Sequence, residues 1–185
     1  ILINGVAYVA TPDPSDATKA TFAKKNASDA DAQDIYGEYY ATYCCTFDPE
    51  MGEGTIPATQ VCTSANMFSA PMVAISGSTS LSFLNICGLL EINLKGTETV
   101  SSIEVSADNI GLSGKFTVPD GQSATVIDDS KGSVTLDCGD GIALTSEGTK
   151  FYVAVPAAEY TGLKVSVCAA DGSTWSRTAV NTASV

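Results

Sequence analysis

The acidic segment with Asp29, Asp31 and Asp34 in SDADAQD invites a calcium reading, because a hard divalent cation gathers oxygen ligands from closely spaced acids. The EF-hand pattern then requires Gly at the sixth position and a bidentate Glu at the twelfth, where this chain carries Asp34 and Tyr40. The segment therefore reads as a solvated capping segment rather than a metal site. Asp137, Asp140 and Gly141 in DCGDG raise the same question and read as a turn between strands. Glycoside hydrolysis needs two acids held about 5 to 10 Å apart across a sugar; of the 21 Asp and Glu residues, no local motif selects a pair. Serine chemistry lacks its usual base, since the chain has no histidine and GSTSLSF at 77–83 is not a nucleophile elbow. A Ser–Lys dyad is the formal remainder. No catalytic, cofactor-binding or metal-ligating residue is assigned, and the chain reads as non-enzymatic.

Flat rings with polar tips suit sugar faces, which brings Tyr36, Tyr39, Tyr40 and Tyr43 forward as a carbohydrate platform. In an extended segment Tyr39 and Tyr43 would share one face and Tyr36 and Tyr40 the other, so packing is the preferred reading for half of them. Trp175, the single Trp, reads as a packing anchor on a hairpin. The six cysteines at 44, 45, 62, 87, 138 and 168 contain no CxxC pair for zinc or thiol exchange. Cys87 and Cys138 lie in apolar runs and fit buried free thiols. The cysteines read mostly as free, buried, small apolar residues; adjacent Cys44 and Cys45 would point to opposite faces and so would not readily bridge each other, and one of them with Cys62 is the pairing expected of any disulfide.

A formal charge of −12 with nine Lys and Arg excludes nucleic acid and anionic membrane surfaces as partners, both of which need basic patches. No window of ~18 continuous apolar residues exists to span a bilayer. With 185 residues, folding buries roughly 70% of the unfolded surface, so a core forms without disulfide staples. The chain opens at Ile1 without Met or a signal pattern, which suggests a processed or truncated form. No compositional break divides it, so residues 1–185 are expected to form one domain.

The elements that would carry these residues are mostly strands. Residues 1–10 read as a strand interrupted at Gly5 and stopped by TPDPSD, and residues 15–32 as short helices or an ordered loop capped by Ser15 or Asp16 and by Ser28. Residues 1–34 are thus the less regular portion. The aromatic run 35–47 reads as a strand and 48–54 as a loop. Residues 60–63 and 72–75 are short strands, and 81–94 is the longest apolar run, with Leu90, Ile92 and Leu94 on one face and a bulge or bend at Gly88. Alternation through Ile103, Val105 and Ala107, then Ile110, Leu112, Phe116 and Val118, predicts a hairpin turning near Asp108 and Asn109. Val134, Leu136 and Cys138 point inward in the next strand, and Phe151, Val153 and Val155 form another, stopped by Pro156. Segments 163–170 and 173–180 flank a two-residue Asp171-Gly172 turn, which sets Cys168 opposite Trp175 and Ser166 opposite Arg177. Short strands separated by turns predict an all-β fold, an antiparallel, Greek-key-like β-sandwich, with a closed barrel as alternative.

TIPATQ at 55–60, APMVAIS at 70–76, LSFLNICGLLEINLKG at 81–96 and VSSIEVSADNIGLSGKFTV at 100–118 carry a resemblance. So do VTLDC at 134–138, FYVAVPAAEYTGLKVSV at 151–167 and the DGSTWSR hairpin. In this order the segments resemble the fimbrillin-like family of Bacteroidetes surface lipoproteins, over residues 36–180. The resemblance implies a β-sandwich made as a lipoprotein precursor, held at the outer-membrane surface by a lipid anchor. Its partners would be other fimbrial or surface subunits joined by strand exchange, or host and glycan ligands. Neither a lipobox cysteine nor room for a second domain after residue 180 is present in this stretch.

Overall fold

The computed structural model describes residues 1–48, 53–62, 70–117, 125–126, 132–179 and 181–185. Among them there is no helix. The N-terminal strands are β1 (Leu2–Ile3), β2 (Val6–Asp13), β3 (Asp16–Lys24), β4 (Tyr39–Tyr43), β5 (Thr46–Asp48), β6 (Glu53–Ile56), β7 (Thr59–Val61), β8 (Met72–Ser76) and β9 (Leu84–Asn85). The later ones are β10 (Gly88–Leu94), β11 (Thr99–Ser106), β12 (Gly114–Thr117), β13 (Thr125–Val126), β14 (Val134–Ala143), β15 (Thr149–Val155), β16 (Glu159–Tyr160), β17 (Lys164–Ala169), β18 (Thr174–Thr178) and β19 (Ala183–Ser184). Among the described residues every ladder between strands is antiparallel except β7 on β14.

The expected alternation builds the main core. A five-stranded sheet, β18-β17-β11-β14-β7, faces the β10–β15 pair. Between them lie Ile103 and Val105 from β11, Val134, Leu136 and Cys138 from β14, Val167 from β17, and Ile92, Phe151, Val153 and Val155 from β10 and β15. These are the two layers of an all-β sandwich. Polar Glu91 and Asn93 face solvent between the apolar positions of β10, as a half-buried strand requires. Tyr160, fully buried, donates its hydroxyl to the Pro156 carbonyl and so closes the bend after β15. A six-stranded sheet, β3-β2-β1-β4-β8-β9, and a four-stranded one, β13-β12-β6-β5, carry two smaller clusters, Ile3 with Ala41 and Ala74, and Ile56 with Val73, Ile86 and Phe116.

Several expectations are corrected. Residues 15–32 hold no helix: β2 continues through Pro12, the chain turns at Pro14 and Ser15, and β3 returns beside β2. Asp13 Oδ1 accepts from the Ser15 N–H and hydroxyl, and Asp16 Oδ1 does the same for Thr18. Short acidic side chains satisfy nearby N–H groups in turns as readily as at helix caps, and here they serve a hairpin. Phe22 then packs on Phe83, ring centroids 6.0 Å apart. The break in the first strand does occur at Gly5, where Asn4 and Gly5 take left-handed φ of 43° and 82°. The aromatic run splits, since Cys44 at φ 54° ends β4 before β5 begins. Of the expected loop at 48–54, Asp48 closes β5 and Glu53 and Gly54 open β6, while 49–52 lie outside the described residues. Thr63, Val118 and Val180, expected strand ends, also lie outside them.

No hairpin joins residues 103–107 to 110–118. β11 pairs with β14 and β17, while β12 pairs with β6 and β13 in another sheet. The turn residues are engaged elsewhere: Asp108 N–H donates to the Thr161 carbonyl, and the Asn109 side chain donates to the Glu159 carbonyl and accepts from Thr161 N–H. Gly88 makes no bulge, because β10 and β15 pair without a break from Gly88↔Val155 to Leu94↔Thr149. Its missing Cβ leaves room for Val185 instead. DCGDG is not a turn between strands but a bulge inside β14, where residues 138–141 stand opposite Ser101 and both Gly139 and Gly141 have positive φ.

Candidate functional site

The acidic candidates do not converge. Asp31 pairs with Lys24 at 3.0 Å, Asp29 accepts from the Asn26 side chain, and Asp34 accepts from Gly37 N–H. Asp137 accepts from Gly139 N–H inside its own bulge, and Asp140 is exposed. Among the described residues no group of three or more His, Cys, Asp or Glu is placed to hold a metal ion.

The tyrosines also separate. Tyr39 packs beside Ala41 and Ile3, whereas Tyr40, on the opposite face of β4, lines a shallow cleft of about 170 Å³ with Leu2, Asn4, Ile35 and Thr42. Tyr36 stands on a turn at φ 56°, 84% exposed. The side-chain polar groups of Asn4 and Tyr40 in the cleft already have partners. Asn4 donates to the carbonyls of Gln33 and Glu38 and accepts from Tyr40 N–H, and Tyr40 donates to Glu38 at 2.6 Å. That hydrogen bond to Glu38 is the first cause of the raised Tyr40 pKa.

The feature that does assemble is the outer edge of the five-stranded sheet. The turn before it holds three residues rather than two, since Ala169 N–H donates to the Ser173 carbonyl and only Gly172 has positive φ. Asp171 accepts from the Ser173 hydroxyl and N–H, which holds its carboxyl below the ordinary range. One extra turn residue shifts the expected register by one: Trp175 lies opposite Val167 and Arg177 opposite Val165, not opposite Cys168 and Ser166. Directly opposed residues share a face, so Trp175 sits on the core side of the sheet beside buried Val167. It is nevertheless 40% exposed, and so is every other residue of β18 by a third or more. The inner face of β18 therefore extends past the layer that covers the rest of the sheet.

The same ladder fixes which backbone groups are open. Hydrogen-bonded pairs recur every second residue, and Ala169–Ser173 and Leu163–Ala179 are two of them. Trp175 and Arg177 thus turn their N–H and C=O toward β17, while Thr174, Ser176 and Thr178 turn theirs outward. Among the described residues β18 is the last strand of its sheet.

All six cysteines are free thiols, and the expected link from Cys44 or Cys45 to Cys62 is not made. Cys45 packs against the Ile56 cluster with Cys87, whereas Cys62 is buried in the main core with Cys138. Burial pushes the thiols of Cys45 and Cys87 up to about 11 and about 12, and that of Cys138 to about 12. Thiolate is the reactive form, so excess N-ethylmaleimide on the native, reduced protein at pH 8 is expected to modify exposed Cys44 first and Cys168 more slowly. Cys45, Cys62, Cys87 and Cys138 should react only after denaturant is added. Mass spectrometry after a timed quench checks this; equal labelling of all six would contradict the burial.

Gln60, buried and hydrogen-bonded to the backbone of Ala154 through both ends of its amide, carried no sequence signal beyond a polar residue two places before an inward Cys62. Comparison with protein-family models, with curated proteins and with solved structures finds no match.

Proposed function

We propose that this chain is a non-catalytic structural or adhesive subunit of a bacterial cell surface, similar to fimbrillin-like proteins, that joins neighbouring surface subunits by strand addition along β18. The observation that carries this reading is the open β18 edge with Trp175 uncovered on its inner side. Unpaired backbone groups on an edge strand accept another strand, and side chains of that strand would cover the exposed ring. Attachment by a lipid anchor in the precursor and display at the outer membrane belong to the same proposal and rest on the sequence resemblance.

A synthetic peptide matching a terminal strand, such as residues 1–10, is the direct probe. At about 100 times its Kd it should raise the melting temperature by roughly 5 to 10 °C. Ser176→Pro removes an outward N–H while sparing the bonds to β17; it should leave the unliganded melting temperature nearly unchanged and abolish the peptide effect. No shift with any terminal-strand peptide, or an equal shift in S176P, would count against strand addition.

The exposed Tyr36 beside the Tyr40 cleft favours a second reading, a glycan- or host-ligand-binding surface module. Against it stand the cleft's Asn4 and Tyr40, whose polar atoms are already engaged within the protein.

A further inference from the structure

Among the described residues, strand β7 is the one strand that runs parallel to its neighbour, with Thr59, Gln60 and Val61 level with Thr135, Leu136 and Asp137 of β14. The ladder continues one bond further, since Cys62 N–H donates to the Asp137 carbonyl at 2.8 Å. That bond sets Cys62 level with Cys138. Both residues turn inward: Cys62 is 0% and Cys138 2% exposed, and both belong to the core cluster between the two sheets. Neighbouring strands run about 4.8 Å apart, and disulfides form between Cα atoms roughly 4.4 to 6.8 Å apart whose side chains share a direction. The spacing and the shared face both fit a bridge. Cys45 and Cys87 also pack against one cluster, but no strand register sets them level.

We infer that Cys62 and Cys138 form a disulfide when the chain folds in an oxidising setting, locking β7 onto β14 at the edge of the five-stranded sheet. The oxidant is a small-molecule or protein disulfide. One cysteine thiolate attacks a sulfur of that disulfide, giving a mixed disulfide and releasing one thiolate; the second cysteine thiolate then attacks the protein-side sulfur and releases the other. Two protein thiols lose two electrons and two protons, one external disulfide gains them, and two external thiols leave. Exchange has to run while the strands are closing, because burial holds the Cys138 thiol protonated once they have closed.

The test uses the whole chain, reduced and unfolded in guanidinium, then refolded in a mixture of oxidised and reduced glutathione. The protein is denatured again, alkylated with N-ethylmaleimide and digested with pepsin. The expected result is a linked peptide pair containing Cys62 and Cys138 that vanishes on reduction, with both cysteines missing from the alkylated set. In C138A, Cys62 is expected to be alkylated. Absence of the Cys62–Cys138 pair, whether through alkylation of all six thiols, glutathione adducts or a different pairing, overturns the inference. The wild-type digest decides the matter even if C138A fails to fold.

Discussion

Gln60→Leu is expected to lower the melting temperature by about 10 °C. The Gln60 amide donates to the Ala154 carbonyl at 2.7 Å and accepts from the Ala154 N–H at 2.9 Å, both in the buried interior. Ala154 lies opposite Leu89 in the β10–β15 ladder, and in an antiparallel strand the N–H and C=O of one residue point the same way. Those of Ala154 point away from β10, and the Gln60 side chain takes the place of a neighbouring strand. Leu keeps the bulk but strands both groups. Each buried, unpartnered backbone group costs about 1 to 3 kcal/mol, and each kcal/mol shifts the midpoint by about 2 to 4 °C at this chain length. Gln60→Glu separates the polar loss from packing. Only its protonated form can donate to the Ala154 carbonyl, so folding raises its pKa above the unfolded value of about 4.3. Its stability relative to wild type should be best below that pH and fall as pH rises. Thermal melts at pH 4 and pH 7 check both variants; a Q60L midpoint within about 2 °C of wild type would show that water replaces the amide.

Gly54→Ala should cost about 3 kcal/mol or more in guanidinium denaturation. In β6, Gly54 pairs with Phe116 of β12 on one side and with β5 on the other. A Cβ at this position would overlap the Thr46 carbonyl and the Phe116 ring. Phe116 is fully buried with Ile56, Val73 and Ile86, so the ring cannot swing clear without opening that cluster, and the carbonyl belongs to the β5–β6 ladder. Overpacking a closed site costs about 1 to 3 kcal/mol and more when backbone must move. Adding Phe116→Leu should recover only part of the loss, since the Thr46 carbonyl stays in place. A single variant as stable as wild type would mean that β5 shifts freely.

Much of the second half of the chain was legible because most of its strands turn one row of apolar residues to the core between the two sheets. Leu90, Ile92 and Leu94 around Glu91 and Asn93, and Val134, Leu136 and Cys138 around Thr135 and Asp137, lie as expected; Phe151, Val153 and Val155 also lie inward, although Tyr152 and the buried Ala154 stand between them. Connections were harder. Asp108 and Asn109 have turn chemistry, yet their hydrogen bonds go to residues 159–161, and nothing local to 108–109 announces a partner fifty residues away. The β2–β3 ribbon was misread because Asp13, Ser15 and Asp16 suit a helix cap and a turn equally well. Trp175 was placed on the wrong face by a single residue, because Asp-Gly signals a hairpin without saying whether two or three residues make the loop. The open edge follows from that register and from β18 being outermost, neither of which can be read from 174–178 alone.

The Gln60 bridge also bears on the order of events in folding. Its two partners are 94 residues apart in sequence, so the closure entropy of a long loop must be met before this contact contributes. Residues 59–62 are consequently expected to dock late. Until they do, β14 presents an unpaired edge backed by Val134 and Leu136, a template for other chains. The soluble yield from a refolding mixture is therefore expected to depend on how fast this four-residue segment docks as well as on the strength of the core.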